Sequence, residues 1–144
     1  MYANKYMIFL LQRLLDADSF LAAAKDKYTM GITTNTPIRT VETVLPMVGL
    51  HDYFKWFVCC RDVGVEKPGR EIFDRTFSEA QFWHPDLRRD EVLHIGDSLA
   101  ADFCGARAAG FQALFLGLYF VFIYLFIYLS NYLFLNKNYS FICP

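Results

Sequence analysis

Apolar runs and helical-period stretches alternate along most of this chain. Tyr28 to Thr33, Trp56 to Cys60, Glu91 to Ile95 and Phe111 to Leu116 are short and almost wholly apolar, which predicts strands buried on both faces. Between them the period changes. Ser19 followed by Phe20 to Lys25 reads as a serine-capped, alanine-rich helix. Pro37 suits a first helical position, and Ile38, Val41, Leu45 and Val48 recur at helical spacing until Pro46 and Gly49 interrupt them. Pro68 opens a further helix that gathers Ile72, Phe73, Phe77 and Ala80 on one face. Leu99 to Ala109 forms the last, with Gly110 as its C-terminal stop. Strands joined by single helices imply right-handed crossovers, so the expected class is α/β with an open parallel sheet covered by helices.

The pattern breaks after residue 116. Leu118 to Leu129 is a continuous run of Leu, Tyr, Phe, Val and Ile, and from Phe111 to Leu135 only Gln112, Ser130 and Asn131 are strongly polar. About 20 apolar residues span a bilayer as a helix, so a C-terminal hydrophobic helix is expected and membrane contact through residues 111–135 is physically allowed. The same composition, rich in Phe, Tyr, Ile, Leu, Asn and Lys, is what translated A/T-rich noncoding sequence gives. A tail anchor and a gene-model artefact therefore both fit residues 118–144. Residues 1–15 read as a linker or the remnant of a cap.

Net charge is −1 with no dense Lys/Arg cluster, which removes the electrostatic basis for nucleic-acid binding. The chain length suits one domain. Cys59, Cys60, Cys104 and Cys143 lack CxxC spacing, so zinc and disulfide readings are both weak, and a reducing, cytoplasmic setting is the default. No sequence feature indicates an oligomeric state.

In open parallel sheets ligands bind beyond the carboxyl ends of the strands. Polar residues collect there: Thr33 to Thr36 after the first strand, Lys67-Pro68 after the second, Gly96-Asp97-Ser98 and then Asp102 after the third. A hydroxyl and an ammonium suit phosphate oxygens, and carboxylates suit Mg²⁺. In order and spacing, Gly31-Ile32-Thr33-Thr34-Asn35, Gly64-Val65-Glu66-Lys67-Pro68 and His94-Ile95-Gly96-Asp97-Ser98-Leu99-Ala100-Ala101-Asp102 resemble the second, third and fourth motifs of the haloacid dehalogenase-like hydrolases. Gly49 to Phe54 and Gly105 to Gly110 resemble that family's connecting segments, and the likeness covers roughly residues 16–116.

The resemblance implies a partial Rossmann-like core over residues 16–117. It also implies a catalytic and phosphate-binding hydroxyl at Thr34 and a cation at Lys67 that steadies nucleophile and phosphoryl group. Asp97 would hold Mg²⁺ with Asp102 in support, while Asn35 and Ser98 would be auxiliary contacts. The expected substrate is a small phosphorylated metabolite, hydrolysed through an aspartyl-phosphate.

The family's nucleophile lies in an Asp-x-Asp after an earlier strand. Asp16-Ala17-Asp18 has that form, but the segment up to Thr34 holds only a bare helix-and-strand crossover, and Gln12 and Arg13 interrupt any buried strand before it. Asp16 to Ser19 is therefore expected to cap a helix, with the nucleophile encoded upstream and the chain inactive alone. The alternative is a non-catalytic relative that binds phosphate or a protein partner. A response-regulator receiver fits poorly, because its acidic pocket would precede its lysine.

Overall fold

A computed structural model describes residues 17–116. Residues 17–24 are helical (α1), followed by β1 (Ile32–Thr34), α2 (Ile38–Met47), β2 (Phe57–Cys59), α3 (Cys60–Val63), α4 (Arg70–Trp83) and β3 (Leu93–Gly96). A π-helical turn (Leu99–Cys104), α5 (Gly105–Ala108) and β4 (Gln112–Phe115) complete the order. The alternation expected from the apolar runs is present, and every strand pairing is parallel. The expected C-terminal hydrophobic helix and the linker over residues 1–15 lie outside the described residues. Among those described, no helix is long and apolar enough to cross a membrane.

The pairing forms two ladders, not one. Ile32 to Thr34 lie opposite Phe57 to Cys59, and Leu93 to Gly96 opposite Gln112 to Phe115, with no strand among the described residues joining the ladders. What unites them is α4. Its Thr76 hydroxyl meets Thr33 of β1 at 2.7 Å, while the Phe73 ring stands edge-on to His94 of β3, with centroids 5.4 Å apart, and edge-on to Phe111 before β4. Ile72 and Phe73 are completely buried and anchor a core shared with Val58, Ala106, Ala109 and Phe111. Each such side chain contributes about 2 kcal/mol of burial. The opposite face of β3 is less covered: Leu93 and Ile95 are exposed.

Several boundaries differ from the expectation for local reasons. Ser19 lies inside α1, which already includes residues 17 and 18, so it is not the cap. Pro46 does not end α2. It sits in the last turn, and the helix continues to Met47, with Gly49 at φ +73 turning the chain afterwards. Pro68 follows a cis peptide bond, and the helix begins two residues later, at Arg70. The run from Leu99 is widened at its start: the amides of both Asp102 and Phe103 point to the Ser98 carbonyl, at 2.9 and 3.1 Å. Such π turns are rare and recur at functional sites. Gly110, at φ +89, is the expected left-handed stop. Cys59 and Cys60 carry free thiols.

Candidate active site

The carboxyl ends of β1 and β3 are tied together by one ammonium group. In the β1–β2 ladder the Ile32 amide donates to the Trp56 carbonyl at 3.0 Å. Alternation along a strand then turns the main chain of Thr33 to the far edge. There its carbonyl accepts Lys67 Nζ at 2.8 Å, and the same ammonium donates to Asp102 Oδ1 at 2.6 Å. Only 10% of the Lys67 side chain and 8% of the Asp102 side chain remain accessible. Buried charges of this kind persist only when paired and hydrogen-bonded.

Asp102 reaches the rim because of the π turn and because residue 96 is glycine. A Cβ on Gly96 would lie 2.2 Å from Asp102 Cγ, so any side chain there would displace the carboxylate. Asp102 Oδ2 accepts the Ser98 amide at 3.0 Å. Its Oδ1 also contacts His94 Nε2 at 3.0 Å, and since a carboxylate only accepts, the imidazole must carry its proton on Nε2. Burial works to raise the Asp102 carboxyl, but the bonds from His94, Lys67 and Ser98 outweigh it and hold it below its ordinary value. For His94, burial dominates and lowers the imidazole, with the nearby Lys67 charge adding to that and Asp102 opposing it.

The other expected residues surround this network. Asn35 meets the backbone of Lys67 twice: its Nδ2 donates to the Lys67 carbonyl at 3.1 Å, and the Lys67 amide donates to its Oδ1 at 2.8 Å. The Thr34 hydroxyl accepts the Thr36 amide at 3.1 Å and shares a hydrogen bond with the Thr36 hydroxyl at 2.8 Å. It borders a small cavity of about 180 Å³ whose other walls are Ile32, Thr36, Val41, Val44 and Leu45. Ser98 spends its hydroxyl on the Ala101 amide as a helix cap. Asp97 is exposed at the end of β3.

Among the described residues no three His, Cys, Asp or Glu side chains converge as a metal cage. Mg²⁺ usually keeps several waters and takes one or two protein carboxylates, so the exposed Asp97 carboxylate fits such an ion while the Asp102 oxygens face N–H donors. Asp18 lies in α1, where its carboxylate accepts the Tyr53 hydroxyl at 2.7 Å. A second cavity, of about 420 Å³ between Trp83 and Glu91, precedes β3 and contains none of these residues.

Two participants escaped the sequence reading. His94 sits inside an apolar run, which points to no site role, yet its imidazole bonds the very carboxylate that holds Lys67. The Thr33 carbonyl is a main-chain group whose direction follows only from strand pairing, and no residue type announces it.

A model of haloacid dehalogenase-like hydrolases matches residues 4–110. The chain belongs to that family. Among its relatives, the pyrimidine 5'-nucleotidase YjjG of Escherichia coli is 36% identical over 69% of this chain and 43% of its own length. The ribulose-1,5-bisphosphate 5-phosphatase of Halopiger xanaduensis is 31% identical over 59% of this chain and 34% of its own. The magnesium-bound HAD-hydrolase YfnB of Bacillus subtilis superposes with a TM-score of 0.64 at 29% identity, covering 69% of this chain and 43% of that one. The chain thus spans less than half the length of these relatives.

Proposed function

We propose that this chain carries the phosphate- and metal-holding part of a Mg²⁺-dependent phosphatase for small phosphate monoesters. The observation that carries the reading is the Lys67 ammonium, buried at the carboxyl ends of β1 and β3 between the Thr33 carbonyl and Asp102. A fixed cation in a largely dry site stabilises charge developing on a phosphoryl group far better than one in water. Two relatives support the substrate class, since a nucleotidase and a sugar-bisphosphate phosphatase both act on small phosphorylated molecules.

In this reading Thr34 offers its hydroxyl to a phosphate oxygen, Lys67 neutralises the phosphoryl group and Asp97 holds the metal. Asp102 supports both by fixing Lys67 and the Ser98 turn. Bound Mg²⁺ would supply charge neutralisation at the phosphate. An aspartate carboxylate attacks phosphorus, the ester P–O bond breaks and the leaving alcohol takes a proton. Water then hydrolyses the aspartyl-phosphate. Asp18 is helical and bonded to Tyr53, so we assign the nucleophile to a residue outside 17–116.

One observation favours a non-catalytic phosphate binder instead: Lys67, Asp102, Asn35 and Ser98 already satisfy one another. Calorimetric titration of the purified chain with inorganic phosphate and Mg²⁺ tests the shared part of both readings. Binding should weaken about tenfold or more in Lys67→Met and Asp97→Ala, the loss of one charge-assisted contact. Equal affinity in all three proteins, or no binding to the native chain, refutes the site. Aryl phosphate should not turn over. Mg²⁺-dependent turnover abolished by Asp16→Asn would make Asp16 the nucleophile.

A further inference from the structure

We propose that Asn35 is a positioning residue for Lys67 and not itself a phosphate contact, a role that rests on the phosphate-site reading above. Its carboxamide closes a two-bond ring on the Lys67 main chain, donating at 3.1 Å and accepting at 2.8 Å. The bonds cross 32 residues of sequence and join the end of β1 to the loop ahead of α4. The carbonyl of Asn35 is itself held, accepting the Cys60 thiol at 3.2 Å. Asn35 is thus secured to the start of α3 before it grips Lys67.

Lys67 is consequently fixed at both ends. Asn35 sets its Cα, while the Thr33 carbonyl and Asp102 set its ammonium. A lysine side chain has four rotatable bonds and loses much of its rotamer freedom when ordered. Anchoring the backbone restricts which of those rotamers can place Nζ between its two acceptors. Both faces of the carboxamide are needed, because each bond uses a different atom. With Oδ1 and Nδ2 so engaged, turning the amide toward a ligand would release the Lys67 loop.

The discriminating variants are Asn35→Ala, which removes both bonds, and the isosteric Asn35→Asp, which keeps the acceptor but sets a carboxylate oxygen against the Lys67 carbonyl. Three quantities are read in the purified chain: hydrogen exchange of the Lys67 amide, the ¹⁵N signal of its ammonium, and the affinity for inorganic phosphate. Exchange at Lys67 should quicken about tenfold or more in Asn35→Ala, the loss of one net hydrogen bond, while the α4 amides keep their native rates. The ammonium signal should shift in both variants, and phosphate affinity should fall in step with it. Native exchange and an unmoved ammonium signal in Asn35→Ala overturn the proposal, and so does phosphate binding lost while both stay native, since Asn35 would then touch the ligand directly. If the native chain binds no phosphate, the phosphate-site reading fails, whereas the exchange and ammonium signals still decide whether Asn35 sets Lys67.

Discussion

Opposite charges meet in two settings in this molecule. On α4 and the turn before β3 they pair in the open: Arg75 with Glu79, and Arg88 with Asp90 at 3.0 Å. At the rim, Lys67 and Asp102 pair at 2.6 Å with about a tenth of each side chain accessible, whereas Arg75 keeps 60%. The first group decorates a helix that would form without it, because α4 is already driven by Ile72 and Phe73. The second has paid desolvation on both ions, which apolar residues of similar size would avoid. Short distance is common to both groups, so distance does not mark the site. What marks it is the retention of charge where burial opposes it.

Breaking the buried pair should have the largest effect. Asp102→Ala strands the Lys67 ammonium and should lower stability by about 3–5 kcal/mol in urea unfolding, while the double variant Lys67→Met/Asp102→Leu should recover most of that loss. A double variant no more stable than Asp102→Ala would show that the pair itself holds the rim together.

A smaller effect comes with acid. The His94 imidazole is lowered below its ordinary 6.5, so as pH falls the unfolded chain takes the proton first and stability declines from about 6.5 downward. The Asp102 carboxyl is depressed below 3.8, and its contribution is present above that value and lost as pH falls further. Urea midpoints measured between pH 8 and pH 5 should therefore decline in the native chain and stay flatter in His94→Gln. Identical slopes would remove His94 from the account.

The smallest effect belongs to the open pairs. Arg75→Ala should change stability by no more than about 0.5 kcal/mol, since the pair is exposed and runs Arg before Glu, the weaker orientation at four residues' spacing. A loss comparable to that of Asp102→Ala would erase the contrast between the two settings.

These contrasts also explain what could be read from residues alone. That Lys67 and Asp102 lie beyond strand ends was legible because each comes after an apolar run, and strand ends are where an α/β sheet displays its chemistry. The parallel pairing was legible for the same reason. The expectation of an auxiliary contact at Asn35 gave no sign of its bonds to Lys67, because a bond to the main chain of a residue far along the sequence leaves no trace in composition. The π turn was invisible as well, because Leu99 to Cys104 has the makeup of an ordinary helix. The separation into two ladders could not be foreseen from apolar runs, which say that strands are covered and nothing about which edges meet.

The Thr33 carbonyl has a consequence of its own. It is the acceptor that β1 turns away from β2, and an amine currently occupies it. A neighbouring main-chain amide arriving at that edge would compete for the same oxygen. Success would release a second of the three ammonium protons of Lys67, since the Thr33 carbonyl and Asp102 engage only two of them, and so double what the cation can offer an incoming anion.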